Sequence, residues 1–214
     1  VKGSNKEVSY INTTYKMLLN EMNYLGSALW ELGYNNSRLA VLGDNSYHWC
    51  LSYYATACGL GVVVPLDKLL QKDELIGLLQ RSECTAIFCD KKSYKVVKEI
   101  MDEGNTSLKL AIGMDFAPEG GLCIHELLDR GKELVESGYT EYTEAPIDPE
   151  AMSFLLFTSG TTSASKAVML SHSNIMSVNY SMNLEEEFFP DDVNLMILPL
   201  HHIYGMMGMI TFIS

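Results

Sequence analysis

Apolar runs alternate with amphipathic stretches through the first 114 residues of this chain, and that order leaves few folds open to it. RLAVLG (38–43), GVVVPL (61–66), CTAIFC (84–89) and SLKLAIGM (107–114) are all of strand length. Several are continuous apolar runs. A strand with one wet face alternates apolar and polar side chains, whereas a strand covered on both faces does not. Between and beyond the runs lie segments of helical character. The first, 14–32, places Leu18, Leu19, Met22, Leu25, Ala28, Leu29 and Leu32 at helical spacing before a stop at Gly33. SYHWCLSYYATACGL (46–60), QKDELIGLLQRS (71–82), KSYKVVKEIMDEG (92–104) and CIHELLDRGKELVESG (123–138) follow. This order predicts an α/β fold, with a mainly parallel sheet, helices on both faces and right-handed crossovers.

A change comes at YTEYTEAPIDPE (139–150), which is acidic and carries Pro146 and Pro149. It is expected to be a linker between a first α/β subdomain (1–138) and a second block (151–214). That block reads as strand MSFLLFT (152–158), a hydroxyl-rich loop, strand AVML (167–170), a helix from Ser173 to about Leu184, and strand VNLMILPL (193–200). The apolar HHIYGMMGMITFIS closes the chain. Its methionines, Met206, Met207 and Met209, suit either a buried helix or the lining of a pocket for a flexible chain. The apolar end is expected to seek a partner, so self-association is anticipated there.

Composition narrows the function classes. The 214 residues are 47% hydrophobic and 20% charged, with a net charge of −12 spread along the chain. That field repels phosphodiester backbones, so nucleic acid is not an expected partner. No apolar run approaches the ~18 residues of a membrane span. Cys50, Cys58, Cys84, Cys89 and Cys123 are odd in number, form no C-x-x-C pair and mostly lie in apolar runs. They read as thiols in a reducing, cytoplasmic compartment. The opening VKGSNKEVSY has neither an initiator Met nor an apolar leader core, so the chain reads as trimmed at its front.

The chemistry concentrates in LLFTSGTTSASKAVMLSH (155–172), where an apolar strand runs into hydroxyls, one glycine and one lysine. Successive backbone N–H groups in such a turn form an anion cradle, and hydroxyls and a Lys add donors. Following a buried strand, it would lie at the carboxyl edge of the sheet, where open α/β folds bind ligands. The plainer alternative is a turn linking two strands. The G-x-x-x-x-G-K-[ST] phosphate loop does not fit: counted from Gly160, its second glycine is Ser165, and Ala167 follows Lys166. His201 and His202 are adjacent and lack H-x-x-x-H spacing, so protein metal ligands are not expected. His172 is expected to cap the helix beginning near Ser173, and Asp44 and Asn45 to cap the helix after the first strand.

TSGTTSASK (158–166) resembles the T-S-G-[ST]-T-G-x-P-K-G signature of adenylate-forming enzymes, the superfamily of acyl-CoA synthetases, luciferases and peptide-synthetase adenylation domains. LPLHHIYG (198–205) resembles that family's L-P-x-F-H-x-x-G motif, with His202 on its histidine and His201 in place of the aromatic. LAVLGDNSYHWCLSYYATACGLGVVVPLD (39–67) is similar to the amino-terminal part of fatty-acyl-CoA ligases, and the resemblance runs from TTYKMLLNEM onward. It implies the first part of the large amino-terminal domain of an acyl-CoA synthetase, in a protein using ATP, Mg2+, coenzyme A and a carboxylic acid, expected to be a fatty acid. Thr158, Ser159, Gly160, Thr161, Thr162, Ser163 and Lys166 would bind the β- and γ-phosphates. Lys166 and His202 would be the catalytic pair, with His202 beside the acyl carboxylate. An aryl- or amino-acid-adenylating relative and a non-catalytic α/β module are the other readings. Ser163, Ser165 and Ala167 stand where the signature has Gly, Pro and Gly, which changes the stiffness of the loop. The family's adenine, ribose and lid motifs do not occur within these 214 residues, so the chain alone is expected to bind ATP weakly and to be inactive.

Overall fold

The computed structural model describes residues 10–158, 165–187, 189 and 191–211. Its strands are β1 (Ser37–Leu42), β2 (Gly61–Leu66), β3 (Ala86–Cys89), β4 (Leu110–Gly113), β5 (Leu122–Cys123), β6 (Met152–Thr158) and β7 (Lys166–Ser171). They form one sheet in the order β5-β4-β3-β1-β2-β6-β7. Every neighbouring pair is parallel except β6–β7, which is antiparallel. The helices are α1 (Tyr15–Glu31), α2 (Tyr47–Ala55), α3 (Lys72–Ser82), α4 (Lys91–Glu103), α5 (Ile124–Glu136), α6 (His172–Glu185) and α7 (Ile203–Thr211).

The continuous apolar runs have the cause that the sequence suggests. Along β1, Leu39 and Val41 enter one core with Leu25 and Leu29 of α1, Trp49 of α2 and Ile124 of α5. Ala40 and Leu42 enter a second core with Leu75 and Leu79 of α3 and Val97 of α4. In β3 the same division separates Phe88 from Ile87 and Cys89. Successive side chains point to opposite faces, so two helix layers demand an apolar residue at every position. The sheet is therefore mainly parallel with helices on both faces, as expected.

The connection 139–150 is mostly exposed but is anchored by one residue. Tyr142 is buried, and its hydroxyl donates to the Ala55 carbonyl (3.0 Å). Its ring occupies space left by two glycines. A Cβ on Gly26 would lie 2.2 Å from Cζ of Tyr142, and one on Gly59 would lie 2.5 Å from Cε2. Gly59 also marks where the helix expected over 46–60 changes character. α2 ends at Ala55, a π-turn occupies Thr56–Leu60, and Cys58 and Gly59 leave helical geometry as the chain bends around the Tyr142 ring.

Three further expectations are corrected. The run 193–200 forms no strand among the described residues, and Val193, Leu195 and Ile197 are 94%, 79% and 76% exposed. An apolar run becomes a strand only with a ladder partner, and the turn-like bond there is from Ile197 N–H to the Leu195 carbonyl. His172 does not cap α6; Ser171 does, its hydroxyl accepting from Asn174 N–H (3.2 Å), while the His172 ring is turned to the Ala57 carbonyl. Asp44 and Asn45 do not cap α2; Ser46 does, accepting from Trp49 N–H (3.1 Å). Residues 212–214, the apolar end, lie outside the described residues.

Candidate active site

β6 is held in the sheet by buried Phe154, Leu155 and Leu156, then emerges through half-buried Phe157 to exposed Thr158. Thr158 is the ladder partner of Lys166, the first residue of β7. The two ends of the hydroxyl-rich connection are thus brought side by side on a two-stranded stem. Ser159, Gly160, Thr161, Thr162 and Ser163 lie outside the described residues. Lys166 is exposed, and among the described residues no carboxylate lies within ion-pair distance of its ammonium. A cation without a carboxylate partner keeps its field for an incoming anion.

The stem has a brace that sequence reasoning missed. Arg81, in the last turn of α3, places its guanidinium 5.4 Å from the centre of the Phe157 ring. Its Nη1–H donates to the Ser165 carbonyl (2.6 Å). Arg81 therefore meets both sides of the stem, the Phe157 ring of β6 by a cation–π contact and the backbone of Ser165, just before β7, by a hydrogen bond. The only sequence signal was a basic residue at a helix end, which more commonly meets that helix's own carbonyls.

His202 stands on a different support, with no hydrogen bond or ion pair to Thr158 or Lys166 among the described residues. It initiates α7: its carbonyl accepts from Met206 N–H (3.0 Å), and its Nδ1 accepts from Tyr204 N–H (3.3 Å). An imidazole whose Nδ1 accepts carries its neutral-form proton on Nε2. The exposed His202 ring thus has an Nε2–H donor, at a helix N-terminus, which suits a carboxylate. His201 is half-buried and faces Asp67 at 3.6 Å. Burial lowers its pKa, and the Asp67 carboxylate opposes that shift.

The segment bearing both histidines rests on the loop after β1. Asn45 Nδ2 donates to the Leu198 carbonyl (2.7 Å), and its Oδ1 accepts from Leu200 N–H (3.1 Å). Beside it, Asp44 bridges Lys68 and Lys92, and these hydrogen bonds hold its carboxyl near a pKa of about 2. Met206, Met207 and Met209 are buried, with Met206 accepting from the Tyr53 hydroxyl, so the methionine cluster is a core helix face. Burial pushes the Cys50 and Cys58 thiols up to about 11 and those of Cys84 and Cys89 up to about 12, away from nucleophilic use. His172 is occupied structurally, with Nε2 3.0 Å from the Ala57 carbonyl.

Comparison with known proteins sets this geometry in a family. The chain is 30% identical over 212 residues to long-chain-fatty-acid–CoA ligase 5 of Rattus norvegicus, covering 89% of this chain and 30% of that protein. It is 30% identical over 209 residues to fatty acyl-CoA synthetase A of Dictyostelium discoideum, covering 93% of this chain and 31% of that protein. The chain therefore spans under a third of the length of these curated relatives. Among solved structures, a natural red-emitting luciferase from Phrixothrix hirtus superimposes with a TM-score of 0.79 at 21% identity, covering 94% of this chain and 39% of that one. ATP-bound MatB from Rhodopseudomonas palustris gives 0.71 at 23% identity, covering 92% and 37%. These two likenesses are of fold. The model of the AMP-binding enzyme family matches residues 4–214, and the chain belongs to that family.

Proposed function

We propose that this chain carries the phosphate loop and the carboxylate-side histidine of an ATP-dependent fatty-acid–CoA ligase. In that reaction a carboxylate oxygen attacks the α-phosphorus of ATP, the bond from that phosphorus to the α,β-bridging oxygen breaks, and acyl-AMP forms as pyrophosphate leaves with that oxygen. The thiol of coenzyme A then attacks the acyl carbon and AMP leaves. Thr158, Ser159, Gly160, Thr161, Thr162, Ser163 and Lys166 hold the β- and γ-phosphates through hydroxyls, backbone N–H groups and one ammonium. His202 donates from Nε2 to the acyl carboxylate. The observation that carries the reading is the stem itself, with exposed Lys166 opposite Thr158 and no carboxylate paired to it among the described residues. The names of the relatives, long-chain-fatty-acid–CoA ligase and fatty acyl-CoA synthetase, support the substrate class.

The described residues contain no group of three His, Cys, Asp or Glu able to hold a metal ion. Mg2+ is proposed to arrive with ATP, held mostly by residues outside these 214, and no step is assigned through it. The functional division proposed is a first α/β unit (1–138), the acidic connection 139–150 anchored by Tyr142, and a nucleotide-binding block beginning at 151. A cytoplasmic, reducing setting is proposed on the five free thiols. Among the described residues no helix is long and apolar enough to cross a membrane.

The test is product analysis on the full-length protein given ATP, Mg2+, coenzyme A and a panel of fatty, aryl and amino acids. Fatty-acid-dependent release of pyrophosphate and AMP, with acyl-CoA formed, is the expected outcome. Turnover confined to aryl or amino acids would replace the substrate class. No carboxylate-dependent pyrophosphate would point to the non-catalytic module, in keeping with Ser163, Ser165 and Ala167 at the departing positions.

A further inference from the structure

We infer that Asn45 is a positioning residue for His202, acting by holding the backbone of residues 198–200 as a strand neighbour would. The inference rests on the ligase reading above for its catalytic half only. In a parallel ladder, one residue of the neighbouring strand donates to the carbonyl of residue i−1 and accepts from the N–H of residue i+1. Asn45 makes this pair of bonds around Pro199: Nδ2–H to the Leu198 carbonyl and Oδ1 from Leu200 N–H. The carboxamide is suited to this because its tip carries a donor and an acceptor side by side, and Pro199 has no N–H to leave unpaired. A single side chain thereby stands in for the ladder that the apolar run 193–200 lacks.

The base of this clamp is fixed on both sides. Asp44 N–H donates to Asp90 Oδ2 (2.9 Å), and the Asp44 carboxylate is held between Lys68 and Lys92. Ser46 caps α2. On the far side Leu200 is buried, and only His201 separates it from His202, whose amide donates to the Pro199 carbonyl (3.1 Å). A shift at 198–200 therefore passes directly to the ring that opens α7. The histidine motif is registered against the carboxyl end of β1, and through Asp67 against that of β2. An Nε2–H that must meet one carboxylate oxygen in line with the α-phosphorus tolerates little displacement, and misplacements of about 1 Å cost up to about 100-fold in rate.

The experiment uses the full-length protein, in four forms: wild type, Asn45→Ala, His202→Ala and the double variant. Asn45→Ala is expected to lower kcat/KM for the carboxylate about 10- to 100-fold while leaving KM for ATP unchanged. In the His202→Ala background it should add less than about a twofold loss. Hydrogen exchange of the 198–206 backbone, read independently of activity, should accelerate in Asn45→Ala. If that variant does not fold, Asn45→Asp takes its place, since it keeps the acceptor for Leu200 and loses the donor for Leu198. Losses that multiply fully in the double variant, or a changed KM for ATP alone, overturn the positioning role. Unchanged exchange at 198–206 overturns the clamp. A wild type that releases no pyrophosphate removes the ligase reading and with it the catalytic half, while the exchange result still decides the clamp.

Discussion

SRLAVL in β1 and KAVMLS in β7 are six-residue strands of similar apolar content, yet the sheet treats them in opposite ways. Leu39, Ala40 and Val41 are fully buried, whereas Ala167, Val168 and Met169 are exposed, with Met169 at 68%. β1 lies between β2 and β3 under two helix layers, while β7 is the outer strand of an antiparallel pair. Burial is therefore a property of neighbours, not of the run. The contrast also separates two tasks. The parallel part provides rigidity through a core on each face, and the β6–β7 stem carries Thr158 and Lys166 out to where a ligand can reach them.

The harshest way to break this contrast is to place the same charge in both strands. Leu39→Asp buries an unpaired carboxylate and should destabilise the protein by more than about 4 kcal/mol, abolishing cooperative folding. Met169→Asp on the exposed edge should cost about 1 kcal/mol or less. Urea unfolding of the two variants decides the matter, and equal losses would show that β7 is as buried as β1. A milder change probes how the regions are joined. Tyr142→Phe removes one buried hydroxyl bonded to the Ala55 carbonyl, so it should cost about 1 kcal/mol and loosen the turn at 56–60. No change in the unfolding midpoint would mean that the hydroxyl contributes nothing there.

The smallest effect concerns the loop supporting Asn45. The folded-state pKa of Asp44, about 2, lies below its ordinary value of 3.8. A depressed carboxylate pKa stabilises the folded state at pH values above the ordinary value. That contribution fades as pH falls from about 3.8 through about 2. Asp44→Asn should therefore be slightly less stable than the wild type at pH 6, by the small amount typical of exposed ion pairs. The gap should close toward pH 2. A gap that stays constant with pH would mean that Lys68 and Lys92 give Asp44 no electrostatic stabilisation.

Much of the fold was legible because its causes are local and repetitive. The β1 and β3 runs required cover on both faces, and the stripe from Leu18 to Leu29 required a helix. What eluded the sequence depends on distant partners. The run 193–200 has the composition of a strand, but Asn45, more than 150 positions earlier, occupies its bonding edge at 198 and 200. Tyr142 sits in a segment whose acidic residues and prolines read as a linker, and only the space at Gly26 and Gly59 explains its burial. At the proposed site, Thr158, Lys166 and His202 were singled out by the resemblance of their motifs, and the structure places Thr158 beside Lys166. Arg81 and Asn45 were not, because a helix-end Arg and a loop Asn have common local uses that spacing does not distinguish from a bond across the chain.

On the proposed reading the Lys166 ammonium acts on the phosphate charge of ATP, and pyrophosphate release by full-length Lys166→Ala measures that effect. At saturating ATP and carboxylate, the variant should release pyrophosphate about 100-fold more slowly than the wild type. Its unfolding midpoint should be unchanged, because the side chain is exposed and joined to no carboxylate among the described residues. An active wild type matched by an equally fast Lys166→Ala variant would contradict the account.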